Sequence, residues 1–119
     1  MMRPDNDVEV FVCREVVDMR KAINGLSILV EEVLELDPFA NKLFVFCNRN
    51  RDKVKILYWE RTGFVLWYKR LEKHRFPWPR REGGEQMVAL TGEQLNWLLD
   101  GIDFFQLEPH EELSYQSVR

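Results

Sequence analysis

The side chains able to do acid–base, nucleophilic or metal chemistry are few and scattered. The chain has two cysteines, Cys13 and Cys47, and two histidines, His74 and His110. None of them shows metal-ligand spacing, so no metal or other cofactor is expected. His74 sits in a basic run, Lys73-His74-Arg75, and His110 in an acidic one, His110-Glu111-Glu112. Ser27, Ser114 and Ser117 lack the glycine elbow that exposes a nucleophile. Gly83-Gly84 reads as a turn, and no phosphate-cradling glycine pattern is present. Glu31, Glu32 and Glu35 read as the polar face of a helix rather than as a metal-holding cluster. With no nucleophile–base pair to name, the chain is read as non-catalytic.

Phosphate recognition is the chemistry the sequence does favour. Residues 38–81 carry 12 basic and 3 acidic side chains, against 4 and 9 in residues 1–37 and 1 and 8 in residues 82–119. The formal net charge of −3 hides this division. The same middle segment holds 10 of the 15 aromatic residues. Interleaved cations and aromatics can neutralise phosphates and stack on exposed bases. The sharpest form of this expectation is a nucleic-acid-binding strip of Lys69, Arg70, Lys73, Arg75, Arg80 and Arg81, with Trp78 beside it between Pro77 and Pro79. Strand alternation would put Lys69 and Arg70 on opposite faces, so at least one should fall outside the strip. The plainer reading is that the acidic ends neutralise the basic middle, the strand aromatics form core, and Trp78 caps a sheet edge.

The elements that must position these residues follow from periodicity. Residues 8–13 alternate and are rich in β-branched and aromatic types, which predicts a strand. Asp18 is placed to cap a long helix reaching about Glu35, with Met19, Ala22, Ile23, Leu26, Leu29, Val30, Val33 and Leu34 as its apolar stripe. Asp37-Pro38 ends it. Residues 43–47, 53–59 and 64–70 predict three strands, the last two joined as a hairpin with Gly63 at the left-handed position. The two prolines in residues 75–81 predict an edge or surface path. A last short strand is expected at residues 86–90. A second, short helix over residues 92–99 is capped by Thr91, with Gln94 completing a capping box.

The order is β-α-β-β-β-β-α. The fold class is α+β: a single domain over residues 1–103 built on an antiparallel meander, the long helix on one face, and a fraying tail over residues 104–119. Expected core residues are Phe44, Val45, Phe46, Ile56, Leu57 and Leu66 of the sheet with Ile23, Leu26, Val30 and Leu34 of the helix. No apolar run approaches the ~18 residues of a membrane span. Two cysteines make no disulfide framework, which points to the cytoplasm and to unlinked, structurally quiet thiols.

Three blocks of residues are familiar. One is Asp18-Met19-Arg20-Lys21 with Gly25-Leu26 and Val30. The longest is Leu43-Phe44-Val45-Phe46, Arg49 or Arg51, Lys55, Leu57, Trp59, Gly63, Lys69-Arg70-Leu71-Glu72, Phe76 and Trp78-Pro79. The third is Leu90, Gln94-Leu95, Leu98-Leu99 and Gly101-Ile102-Asp103. In order and spacing, from Val8 to Asp103, the chain resembles the TnpB accessory proteins of the insertion sequence 66 class of bacterial transposons. It departs from them at Glu60, where such proteins commonly carry Asp, and at Ala22, where glycine usually follows Arg-Lys. The resemblance implies a non-catalytic accessory of DNA transposition, encoded beside a DDE-type transposase and a second small accessory protein. It carries over no catalytic residue. Two readings follow. One is DNA binding, at transposon ends or target, through the basic middle. The other is a module that docks on the transposase or the partner accessory without touching DNA, using the acidic ends and Phe104-Phe105.

Overall fold

The computed structural model describes residue 4, residues 7–80 and residues 84–107 of the 119-residue chain. The apolar, β-branched runs form strands β1 (Glu9–Cys13), β2 (Leu43–Cys47), β3 (Lys53–Glu60), β4 (Gly63–Arg70) and β5 (Met87–Thr91). They make one sheet in the order β4-β3-β2-β1-β5. Helices α1 (Ile23–Ile28) and α2 (Gly92–Leu99) complete an α+β fold.

The sheet is mixed, which corrects the expected antiparallel meander. β1 and β2 run parallel, with Val10 opposite Leu43 and Val12 opposite Val45. The cause is the connection between them. Residues 14–42 carry α1, and a crossover of that length returns the chain to start a second strand in the same direction. β5 departs from the meander too. It pairs antiparallel with β1, Val10 opposite Leu90, rather than with β4. The chain therefore travels from one edge of the sheet to the other between β4 and β5.

The expected long helix is also corrected. Asp18 caps no helix; its carboxylate accepts from the Arg20 backbone at 2.9 Å and from the Arg20 guanidinium at 2.7–3.2 Å, closing a turn. α1 begins only at Ile23, and Ala22 at its N-terminus offers no side-chain cap. Past Ile28 the helix widens into a π turn, Leu29–Val33, where Leu34 N–H reaches back five residues to the Leu29 carbonyl. Glu35 takes a left-handed φ of 56° and ends it.

α2 is built as its sequence suggests. Thr91 Oγ1 accepts from Gln94 N–H at 3.1 Å while Gln94 Oε1 accepts from Thr91 N–H at 2.9 Å. Gly101, at φ 82°, closes the C-terminus by donating to Leu98, and Ile102 donates to Trp97.

The sheet separates two apolar layers. On one face Leu26 and Val30 pack over Phe44, Phe46, Leu57 and Cys13, with Ile23, Leu34 and Leu66 half-buried beside them. On the other, Leu95, Leu98 and Leu99 of α2 pack over Val10, Val12, Val45, Cys47, Val54 and Ile56. Phe104, expected in a fraying tail, belongs to this second layer at 4% exposure; a 3₁₀ turn, Phe104–Leu107, stacks it on Phe105. The tail from residue 108 onward lies outside the described residues.

The hairpin between β3 and β4 pairs Glu60 with Gly63. Its left-handed residue is Arg61, at φ 53°, not Gly63. A two-residue loop needs that conformation inside the turn, whereas Gly63 already belongs to the strand.

Candidate nucleic-acid interface

The mixed topology brings separate basic segments to one end of the sheet. β1 and β2 leave the sheet at that end, at Cys13 and Cys47. β3 enters there at Lys53, which pairs with Arg70 as β4 leaves, and β5 enters at Met87, opposite Cys13. The loop after β1, the β2–β3 turn and the long crossing after β4 therefore lie side by side.

Backbone bonds lock these segments together. Val17 N–H donates to Cys47 O at 2.9 Å, Leu71 N–H to Asp52 O at 2.7 Å, and Phe76 N–H to Arg51 O at 2.7 Å. Arg14 N–H donates to Gln86 O at 2.9 Å, and its guanidinium to Arg80 O at 2.7 Å. The β2–β3 turn is held by Asn48, whose Oδ1 accepts from Asp52 and Lys53 N–H and whose Nδ2 donates to Asp52 Oδ1 at 2.7 Å. That last bond lowers the Asp52 pKa. Arg51 takes φ 59° in this turn, a conformation costing about 1 kcal/mol or more, and its carbonyl is thereby aimed at Phe76.

The expected strip is only partly assembled. Lys73, Arg75 and Arg80 are exposed. Arg70 is exposed and holds Glu72 at 2.9 Å, a surface pair that competing phosphate can displace. Lys69 is half-buried on the α2 side, and its Nζ donates to the last-turn carbonyl of Leu99 at 3.0 Å. That use satisfies a helix C-terminus, where a cation is favoured, and takes Lys69 out of the strip. Trp78 needs the larger correction. Its ring is 7% exposed within the α2-side core, and Nε1 donates to Cys13 O at 2.9 Å. Trp78 closes the core under the crossing segment and presents no ring for a base to stack on. The prolines on either side explain how: a segment without two backbone donors suits a crossing outside the ladder. Arg81 lies outside the described residues.

The expected strip left out the other half of this end, although its Arg49, Arg51 and Lys53 belong to the basic middle segment. Arg20 and Lys21 follow β1, and Arg49, Arg51 and Lys53 line the β2–β3 turn. A shallow groove of about 490 Å³ runs between these two segments, lined by Val16, Val17, Asp18, Met19, Asn48, Arg49, Asn50 and Lys53. Arg20 is 91% exposed and fixed by Asp18, whose pKa this partner lowers to about 2. The signal that could have found these residues is their position directly after strands that leave the sheet in one direction.

The opposite end is acidic. Topology places Asp7, Glu9, Glu31, Glu32, Glu35, Asp37, Glu60 and Glu93 there or on the way to it, with Lys42 and Arg61 as cations. Lys42 is tied to Glu9 at 3.5 Å and lies over the Phe11 ring at 5.1 Å. The basic end keeps its own carboxylates, Glu15, Asp18, Asp52, Glu72 and Glu85, with Asp100 and Asp103 past the end of α2. They are outnumbered by Arg14, Arg20, Lys21, Arg49, Arg51, Lys53, Arg70, Lys73, Arg75 and Arg80. Lys55 is taken internally: its Nζ donates to the Met19 and Lys21 carbonyls at 2.7 and 2.8 Å, pinning the loop before α1.

Among the described residues no three His, Cys, Asp or Glu side chains are grouped to hold a metal ion. Cys13 and Cys47 are free and buried on opposite faces of the sheet. Burial raises both thiol pKa values, that of Cys47 to about 12. No helix among the described residues is long and apolar enough to cross a membrane.

The chain is 38% identical over 104 residues to the uncharacterized protein y4hO of Sinorhizobium fredii, covering 87% of this chain and 89% of that one. It is 30% identical over 108 residues to y4jC of the same organism, also uncharacterized, with 91% of each chain covered. No solved structure matches. The family model described as IS66 Orf2-like protein matches residues 8–109, most of the chain, and the chain belongs to the IS66 Orf2-like family.

Proposed function

We propose that the chain is a non-catalytic accessory of DNA transposition that binds the DNA backbone with the basic end of its sheet. The observation that carries this reading is the gathering of exposed cations from three separate segments, represented by Arg20, Arg49 and Arg75, on one end of a rigid sheet. Five strands at about 4.8 Å spacing make an end roughly 20 Å wide. About 20 Å of duplex carries about 12 phosphates, so several of these side chains can be neutralised at once. Because the contacts are to phosphate, binding is largely indifferent to sequence, and specificity is left to the transposase. The DDE-type transposase and the second accessory protein are the partners this role requires, in the cytoplasm.

The alternative module, docking on the transposase without DNA, loses part of its expected surface because Phe104 is spent in the core. Fluorescence anisotropy with a labelled duplex of unrelated sequence tests the proposal. With about five phosphate contacts, the slope of log affinity against log salt is about −4 to −5. A chain that binds no duplex at low salt, yet captures purified transposase, is the docking module instead.

A further inference from the structure

The two edges of the sheet are treated differently. β5 is short, five residues, and leads straight into α2. β4 is the other edge and runs for eight residues, Gly63–Arg70, without proline. A long open edge offers a row of unpaired backbone donors and acceptors to any strand that can lie beside it. In a hairpin closed at Glu60 and Gly63, the pairs that exchange both backbone bonds include Val65 and Trp67. The amides and carbonyls of Phe64, Leu66, Tyr68 and Arg70 therefore point away from β3. β4 is the edge strand, and among the described residues no turn, loop or cap backbone bond uses them.

The apolar side chains along this edge are only partly covered by the two core layers. Phe64, Val65, Leu66 and Trp67 are all half-exposed, and Tyr68 is exposed. On the α1 face, Phe39 packs edge-on against Trp59 and near Phe64 while remaining 53% exposed. Ile28 and Val33, on the α1 layer that packs over β3 and β4, are exposed to a similar degree.

We infer that β4 is the self-association edge of this protein, pairing antiparallel with β4 of a second copy to make one continuous ten-stranded sheet. Charge selects this occupant. Around one end of β4 cations prevail, Lys69 and Arg70 with Lys53 of β3 against Asp52 and Glu72; around the other carboxylates prevail, Glu60 with Glu35 and Asp37 near Phe39 against Arg61. Antiparallel pairing about a two-fold axis sets the basic corner of each copy against the acidic corner of its partner. Parallel pairing would set like against like. The same axis brings the two α1 layers side by side, where Ile28, Val33 and Phe39 can cover one another, as a self-complementary interface requires.

Sedimentation velocity of the full-length chain tests this. The expected species is a dimer whose population falls on dilution and in high salt. Tyr68→Pro removes an outward amide at a position where an edge strand tolerates proline, and is expected to give a folded monomer. Tyr68→Lys keeps the backbone but puts a charge on the edge, and should weaken the dimer at least tenfold. Circular dichroism matching wild type shows that either variant is folded. A wild-type chain that stays monomeric up to about 100 μM overturns the inference, because the dissociation constant would then be weaker than about −5.5 kcal/mol supports. A dimer that survives both substitutions at wild-type affinity overturns it too, because the contact then lies elsewhere.

Discussion

Removing the indole of Trp78 should destabilise the fold rather than disarm a binding surface. The ring is 7% exposed within the core layer that also holds Phe76, Val10 and Leu98, and Nε1–H reaches Cys13 O at 2.9 Å. A buried aromatic truncated to alanine costs about 3–5 kcal/mol, and the lost hydrogen bond about 1 kcal/mol more. A domain of this size has a total stability of about 6–18 kcal/mol, so Trp78→Ala takes away a large share. At a urea m-value of about 1.5 kcal/mol/M, its unfolding midpoint falls by about 2 M or more. Trp78→Phe keeps most of the apolar contact and drops the donor, so it should cost about 1–3 kcal/mol. The assay is urea unfolding followed by tryptophan fluorescence and circular dichroism. Single-stranded DNA binding is measured on the folded Trp78→Phe variant at the same time. Stability within about 0.5 kcal/mol of wild type for Trp78→Ala, together with lost single-strand binding, would refute the core assignment and restore Trp78 as a stacking surface.

Three further outcomes follow from the geometry. Thr91→Ala removes half of the α2 capping box and should cost about 1 kcal/mol in urea unfolding, whereas Thr91→Ser should cost only a few tenths. Both thiols should resist a thiol-specific reagent at pH 8 in the native protein and react on unfolding. Burial raises the Cys47 pKa from 9.0 to about 12, so the stability its neutral thiol contributes is complete below pH 9 and declines as pH rises toward 12. The stability difference between wild type and Cys47→Val should therefore shift against wild type across that window. Lys69→Met should lower stability by about 1 kcal/mol, because the Leu99 carbonyl loses its donor, and should leave duplex binding unchanged.

The strands were legible because each is a compact run of β-branched and aromatic residues, and the α2 cap because Thr91 and Gln94 stand three apart. The pairing of those strands was harder to read. A buried run such as Leu43–Cys47 looks the same in a parallel and an antiparallel neighbourhood, and only the 29-residue connection before it distinguished them. The early helix was read too long because its apolar spacing continues through a turn that Asp18 and Arg20 close locally, and through the π widening after Ile28. The prolines do keep residues 75–80 out of the ladder, but the expected edge or surface path is corrected: Phe76, Pro77, Trp78 and Pro79 are all buried, because proline says nothing about whether the segment turns inward. The candidate site was legible only in part for a related reason. Arg20, Arg49 and Arg75 are far apart in sequence, and it is the shared exit of β1 and β2 that makes them neighbours.

The central claim is that one end of the sheet, and not overall charge, binds DNA. Comparing charge removal at the two ends tests it most directly. Arg49→Ala, Arg75→Ala and Arg80→Ala combined alter the basic end, and Arg61→Ala alters the far hairpin, where its side chain is exposed. Duplex affinity is measured by anisotropy at 50 and 200 mM salt. The triple variant should bind more weakly at the lower salt, with a salt slope shallower by about three units, while Arg61→Ala keeps both the affinity and the slope of wild type. A triple variant with the wild-type slope, or an equal per-charge loss from Arg61→Ala, would contradict the account.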